Sequence, residues 1–291
     1  MTADVRLSSF MLLSDTTYRI VAQGVVVVRV SGAVDREVRR SGETTIRYAV
    51  SGPETGPTVV LVHGWACDRR DYDEVAEHLS GEFRVIAVDL AEHGESRSTR
   101  EVWTIGEFAR DVAAVLDAEA VEECVVVGHS LGGAVTVEIG RLRPDVVTHI
   151  VALDALHYLF LFEAADEERA EGLLRSVRED FAGLVRSMVE AGSPAGTDEA
   201  VKDAYFEKMV SVRQPAGVRA FEGLVAWDMD EALNEVEQPI TVFGVRSLVT
   251  REALDRLGDR VEFVLVDLGS HHFHVESPKA TAELIAGVVG A

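Results

Sequence analysis

The chain has 291 residues, of which 50 are acidic and 28 are basic, so that its formal net charge at neutral pH is −22. This charge repels nucleic acid and anionic membranes, and we expect neither as a partner. The two cysteines, Cys67 and Cys124, are too few for a disulfide framework, which favours a reducing, cytoplasmic location.

Residues 1–43 form a leader whose role the sequence leaves open. They include the apolar run from Val25 to Val28, but they lack the basic start, long apolar segment and small-residue cleavage site of a signal peptide. We also expect no transmembrane helix. The leader is an extra edge strand, an arm that contacts another subunit, or sequence upstream of the true start.

From Thr44 onward, apolar runs of strand length alternate with helical patterns, which predicts an α/β fold with a mostly parallel central sheet flanked by helices. The elements predicted in chain order are strands 45–50 and 59–62, helix 72–79, strand 84–88, helix 105–116, strand 124–127, helix 133–139 and strand 149–153. These elements make up residues 44–156, the first part of a single core domain.

Between residues 157 and 228 the strand pattern stops and a helical period replaces it. Apolar residues from Leu173 to Met188 recur on one helical face, and a break at 191–196 divides the region into at least two helices. The pattern predicts a helical lid inserted after the sixth strand. The core resumes over residues 229–291, with predicted strands at 240–243 and 261–266 and a last helix that begins near Pro278.

The most informative motif is Gly-His-Ser-Leu-Gly, which runs from Gly128 to Gly132 between a predicted strand and a predicted helix. A Gly-x-Ser-x-Gly turn in this setting strains the backbone of the serine and exposes its hydroxyl above the sheet. Ser130 is therefore the candidate nucleophile. A serine needs a base within hydrogen-bond reach and a third group that orients the base.

Three histidines in the loop after the last predicted strand compete for the role of base. His271 comes first after a Gly-Ser turn, and we predict that it is the base. His272 and His274 remain candidates for packing or for contacts with the lid. The alternative is that all three are ordinary loop histidines.

The acid of the constellation is predicted to be Asp154, which ends strand 149–153 and from there can reach the far nitrogen of His271. The loop at 244–250, where such sheets commonly carry the acid, contains none. A strand-end aspartate also caps turns, which is the alternative role for Asp154. Asp228 and Asp230 precede a strand and so belong to the opposite edge of the sheet.

Acyl transfer also needs donors aimed at the developing oxyanion, usually backbone N–H groups. The N–H of Leu131, at the start of a predicted helix, is one candidate. The N–H of Trp65 is the second, because Gly64 before it lets the loop approach the serine. The alternative for Trp65 is an aromatic side chain that packs against the lid.

From about Thr44 to its end the chain resembles the α/β-hydrolase superfamily. The matching segments are His63-Gly64-Trp65, the run from Asp89 to Ser96, the serine turn with Gly133, Asp154 and His271. The resemblance implies that Ser130 is the nucleophile, that His271 is the base, and that the N–H groups of Trp65 and Leu131 form the oxyanion hole. The chain departs from the family at two positions. Glu92 stands where members often carry glycine, and Ser247 stands where the usual acid lies, although some members take the acid from the position of Asp154.

We expect a serine hydrolase that cleaves a carboxylic ester or lactone of a small, partly apolar substrate through an acyl-enzyme. No zinc-type spacing of cysteine and histidine occurs, and we expect no metal and no cofactor. One alternative is a cofactor-independent dioxygenase in which His271 and Asp154 deprotonate a hydroxylated heteroaromatic and Ser130 only positions it. Another is a non-catalytic receptor for a small molecule. The oligomeric state is left open, and a homo-oligomer is one possibility.

Overall fold

The computed structural model describes residues 18–21, 25–28, 32–41, 44–161 and 167–290. Its strands are β1 Tyr18–Val21, β2 Val25–Val28, β3 Val34–Ser41, β4 Thr44–Ser51, β5 Thr58–Val62, β6 Arg84–Val88, β7 Arg97–Ser98, β8 Cys124–His129, β9 Val147–Leu153, β10 Ile240–Val245 and β11 Glu262–Val266. Its helices are α1 Asp73–Leu79, α2 Ile105–Ala118, α3 Leu131–Leu142, α4 Glu167–Glu179, α5 Phe181–Ala191, α6 Glu199–Val210, α7 Ala216–Val225, α8 Met229–Glu235, α9 Arg251–Leu257, α10 Phe273–Glu276 and α11 Pro278–Val289.

The central sheet has the strand order β11-β10-β9-β8-β5-β6-β4-β3, and β7 pairs with β4. Strands β5, β6, β8, β9, β10 and β11 are parallel, whereas β4 runs antiparallel to both β3 and β6. Every residue of β5, β8 and β10 is buried, because helices cover both faces of the parallel part. The predicted α/β fold is confirmed, and its parallel strands direct their carboxyl ends to one edge.

Part of the predicted leader belongs to the central sheet. Residues 34–41 form β3, which pairs antiparallel with β4 at the sheet edge. Ion pairs attach this strand to the core, and they join Arg36 to Glu119 and Arg40 to Asp111. Of the three alternatives for the leader, an extra edge strand fits these residues. Strands β1 and β2 pair with each other, and residues 1–17 lie outside the described residues.

Between β9 and β10 the chain forms a helical insertion, defined here as residues 157–228, in which the described residues contain α4 to α7 and no strand. With the short β7 left aside, β9 is the sixth strand of the central sheet in chain order. The break predicted at 191–196 separates α5 from α6. None of the helices in the described ranges has the length and apolar character needed to cross a bilayer.

Candidate active site

Ser130 lies in the sharp turn between β8 and α3. Its φ of 52° and ψ of −119° place it in a strained region for a residue with a side chain, and its N–H donates to the carbonyl of Leu153 at 3.2 Å. A Cβ atom on Gly128 would lie 2.1 Å from the carbonyl oxygen of Gly132, so that only glycine fits there. The turn therefore has the geometry that the motif predicted.

Asp154 directly follows β9, and its side chain is completely buried. One of its oxygens, Oδ2, lies 2.7 Å from Nδ1 of His271, across 117 positions of the sequence. The structure thus brings the predicted acid and the predicted base into direct contact. Ser247, at the position of the usual family acid, follows β10 and contributes no carboxylate.

The carboxylate of Asp154 accepts three further hydrogen bonds. Oδ1 accepts the backbone N–H of Val245 at 2.7 Å and contacts Nε2 of His157 at 3.0 Å, while Oδ2 accepts the hydroxyl of Tyr158 at 2.5 Å. Burial opposes the charge on this carboxylate, but the hydrogen bonds from His157 and His271 outweigh it and hold the pKa of Asp154 well below its usual range. Asp154 is consequently a carboxylate at neutral pH.

His271 is held by its backbone as well as by Asp154. Its N–H donates to the carbonyl of Gly192 at the end of α5, at 2.8 Å, and its own carbonyl lies 3.0 Å from Nε2 of His129. Its side chain is 17% exposed. The insertion and β8 therefore fix the loop from two sides and leave part of the imidazole accessible.

The two competing histidines have other neighbours than Asp154. His272 is buried and stacks on the ring of Tyr205 of α6, with 4.0 Å between ring centroids, while His274 is fully buried with its ring 4.3 Å from that of His129. Burial, together with neighbouring imidazoles, lowers the pKa values of His129, His272 and His274 well below the ordinary value. Of the three loop histidines, His271 contacts the carboxylate.

The residues predicted for the oxyanion hole flank Ser130. Leu131 begins α3, so its N–H is one of the helix N-terminal amides that lack an intrahelical acceptor. Before Trp65, a Cβ atom on Gly64 would lie 3.1 Å from Cβ of Ser130, which shows how closely this loop approaches the nucleophile. The indole Nε1 of Trp65 donates to the carbonyl of Gly217 in α7 at 2.7 Å, so the alternative packing role also holds.

Ser130 and His271 line one cavity of about 260 Å³ between the sheet edge and the helical insertion. Polar groups cluster at its floor, and they belong to Ser130, Tyr158 and three histidines. The apolar side chains that line it are Trp65, Phe160, Leu161, Leu173, Leu184, Met188, Val189, Ala191, Met209, Phe221 and Leu224. The cavity lining is therefore polar around Ser130 and His271, which we call the floor. It is apolar over the side chains just listed, which we call the roof.

Other residues of two motifs that carry the resemblance support the site from outside the cavity lining. Nε2 of the buried His63 accepts the N–H of Leu90 at 3.0 Å, and Asp89 binds the side chain of Arg69 at 2.6 Å. Glu92 has a φ of 60°, a left-handed conformation that glycine adopts more readily than other residues. Its carboxylate binds Arg213 of the insertion at 2.8 Å. These residues therefore fix loops around the cavity.

Sequence reasoning missed the two side chains that share Asp154 with His271. His157 and Tyr158 follow the aspartate by three and four positions, and the Asp-x-x-His-Tyr spacing was the available signal. It was ambiguous, because the contacts depend on left-handed backbone at Asp154 and Leu156, with φ of 44° and 68°. Such conformations are uncommon for residues other than glycine.

A family model described as "Alpha/beta hydrolase family" matches residues 59–284 of the chain. The chain belongs to the alpha/beta hydrolase family. Among the curated relatives of this alpha/beta hydrolase, the bifunctional esterase/perhydrolase DCH of Acinetobacter calcoaceticus is 29% identical over 218 residues, which cover 68% of this chain and 76% of that protein. The 2-(acetamidomethylene)succinate hydrolase of Mesorhizobium japonicum is 26% identical over 266 residues, which cover 86% and 93%.

Solved structures share the same architecture. The structure of Est816, described as an N-acyl homoserine lactone degrading enzyme, aligns with this alpha/beta hydrolase at a TM-score of 0.74 and 22% identity. The alignment covers 87% of this chain and 99% of that chain. This likeness confirms the fold, and the chemistry is argued from the site.

Proposed function

We propose that the chain is a serine hydrolase that cleaves a carboxylic ester or lactone through an acyl-enzyme. The observation that carries the proposal is the 2.7 Å contact between Asp154 and His271 at the floor of a cavity that Ser130 also lines. A nucleophile, a base and an orienting carboxylate are the three groups that this chemistry needs. Esterase and hydrolase activities in the names of relatives agree with it.

The contact with Asp154 defines the role of each imidazole nitrogen of His271. A proton on Nδ1 is donated to the carboxylate, which leaves Nε2 as the acceptor for the hydroxyl proton of Ser130. The serine oxygen bonds to the substrate carbonyl carbon, and His271 returns the proton to the leaving alcohol as the ester bond breaks. Water then attacks the acyl-enzyme with His271 again as base, and the acid leaves.

In this mechanism the N–H groups of Trp65 and Leu131 stabilise the tetrahedral oxyanion. Both donors belong to backbone that is fixed before the reaction. The indole of Trp65 is tethered by its hydrogen bond to Gly217, and Leu131 is the first residue of α3. Preorganised donors of this kind contribute about 10²- to 10³-fold each to kcat in serine hydrolysis.

The cavity defines the size and charge of the acyl group. An apolar cavity of about 150 Å³ binds benzene, so a cavity of about 260 Å³ accommodates roughly ten non-hydrogen atoms. No lysine or arginine among the described residues lines it, which disfavours a carboxylate on the bound group. The proposed substrate is therefore an uncharged, apolar ester or lactone, and the helical insertion is its lid.

Turnover of p-nitrophenyl esters by matched variants tests this function. Ser130→Ala is expected to lower kcat by roughly 10⁴- to 10⁶-fold. The matched control is Ser187→Ala, because Ser187 lines the same cavity but its hydroxyl donates to the carbonyl of Gly183. Near-wild-type turnover by Ser130→Ala would contradict the proposal. If Ser130→Ala still consumed oxygen with hydroxylated heteroaromatics, the result would instead favour a dioxygenase in which His271, paired with Asp154, is the general base.

A further inference from the structure

The segment from Asp154 to Tyr158 folds back on its own first residue. Asp154 and Leu156 both have left-handed backbone, with φ of 44° and 68°, and this reversal returns the next two side chains to the carboxylate. His157 contacts Oδ1 at 3.0 Å, and the Tyr158 hydroxyl donates to Oδ2 at 2.5 Å. One short segment thus supplies the acid and two of its hydrogen-bond partners.

The two carboxylate oxygens have different surroundings. Oδ1 contacts Val245 N–H and His157, both of which are buried and neither of which lines the cavity. Oδ2 is shared by Tyr158 and His271, whose Nδ1 lies 3.2 Å from the Tyr158 oxygen. Tyr158 also lines the cavity with Ser130. The Tyr158 hydroxyl and the His271 imidazole therefore share a single acceptor oxygen.

We propose that Tyr158 is a positioning residue for the reaction proposed above: by binding the same carboxylate oxygen as His271, it fixes that oxygen and, through it, the imidazole. The physical reason is that a hydrogen bond to a carboxylate spreads its negative charge. A carboxylate with less charge on Oδ2 stabilises the imidazolium less. Loss of the Tyr158 hydroxyl should therefore change the pH dependence of the reaction as well as the position of the imidazole.

The other titratable groups around His271 leave this effect visible. His129 of β8 and His272 of the same loop have ring centroids 4.5 and 5.1 Å from that of His271. Burial, first, and then the charge on His271 lower the pKa values of both, so they stay neutral through the relevant range. Groups farther out are bound to other partners: Glu276 to Ser270 and Tyr205, Lys208 to Asp71 and Asp68, and His157 to Asp154.

The test is the pH dependence of kcat/KM for Tyr158→Phe, which removes the hydroxyl and keeps the ring. The acid limb is expected to move to higher pH by roughly 0.5 to 1 unit, so that kcat/KM below the limb falls about 3- to 10-fold while the plateau changes less. Tyr205→Phe is the matched control, because its hydroxyl binds Glu276 and it touches His272 rather than Asp154. Its acid limb should coincide with that of the wild type.

The ¹H–¹⁵N NMR signals of the His271 imidazole give a second reading that needs no turnover. Tyr158→Phe should change the chemical shifts of the His271 ring nitrogens, because it removes the hydroxyl that lies 3.2 Å from Nδ1, and Tyr205→Phe should leave them unchanged. Unchanged His271 signals in Tyr158→Phe, or an equal change in both variants, would overturn the proposal. Turnover by Ser130→Ala at the wild-type rate would overturn the hydrolase function instead, so the two failures are distinct.

Discussion

The sheet edge that carries Ser130 and the helical insertion above it are held by different kinds of interaction. At the edge, backbone determines position: the N–H of Ser130 donates to Leu153, and the close approach of Gly128 to Gly132 excludes any side chain. Besides the backbone hydrogen bond from His271 to Gly192, side chains attach the insertion. Arg213 binds Glu92, and the indole of Trp65 donates to an α7 carbonyl.

This difference separates the chemistry of the site from its selectivity. The proposed reacting groups follow the parallel strands β8, β9 and β11, whose positions follow from hydrogen-bond registers shared by the whole sheet. The apolar roof depends on side-chain contacts between helices, which tolerate exchange among apolar residues of similar volume. Substitutions at the sheet edge should therefore change rate, and substitutions in the insertion should change substrate preference.

The largest expected effect of a single substitution in the comparison comes from Asp154→Asn at the sheet edge. Val245 N–H retains the amide oxygen at the Oδ1 position, so the amide nitrogen faces His271 and donates where Oδ2 accepted. This favours the wrong imidazole tautomer, and kcat should fall by about 10⁴-fold. Asp228→Asn is the control, because Asp228 caps α8 by accepting the N–H of Glu231, and asparagine caps helices as well. Steady-state kinetics on one ester measures both variants. Similar kcat values for the two would contradict the role of Asp154.

Acid should destabilise the core, because the core contains buried histidines. The insertion helices α4–α7 contain none. Burial lowers the pKa values of five core histidines, to about 4 for His63 and about 3 for His93 and well below the ordinary value for His129, His272 and His274. Below the unfolded-state pKa of about 6.5, these histidines bind protons in the unfolded chain but stay unprotonated in the native chain. The free energy of unfolding should then fall by about 1.4 kcal/mol per pH unit for each histidine.

Urea unfolding at a series of pH values measures this loss. Stability should be constant above the ordinary histidine pKa and should decline steeply below it, as the pH moves toward the lowered native values. His274→Leu removes one buried imidazole whose two nitrogens have no hydrogen-bond partner within the described part of the chain, so its slope should be smaller by about one proton. A flat dependence in the wild type between about pH 7 and about pH 5 would contradict the burial argument.

A smaller effect is expected where the two regions meet, at Gly192. A Cβ atom there would lie 2.8 Å from Cβ of His271, so Gly192→Ala should displace the imidazole and lower kcat by about 10- to 100-fold. Gly172→Ala in α4 is the control, because nothing lies within 4 Å of its Cβ position. It should keep kcat and raise stability by up to about 1 kcal/mol. Equal kcat values for the two variants would show that the insertion does not position His271.

The sequence predicted β4 to β6, β8 to β11, the serine turn and the pairing of Asp154 with His271, because apolar runs and turn chemistry determine where parallel strands end. It left β3 open, as one of three alternatives for the leader, because most residues of this strand are charged. That strand is stabilised by partners far along the chain, such as Glu119 for Arg36. Tyr158 and His157 were missed for a related reason: their contacts depend on backbone angles that residue type does not determine.

The most direct test of the central claim is mass spectrometry of the folded protein after reaction with a fluorophosphonate probe, followed by peptide mapping. The geometry predicts a single adduct on Ser130, formed rapidly in the wild type, strongly slowed in His271→Ala, and absent in Ser130→Ala. Unlabelled wild-type protein, or an adduct on another residue that persists in Ser130→Ala, would contradict the assignment of Ser130 and His271 as nucleophile and base.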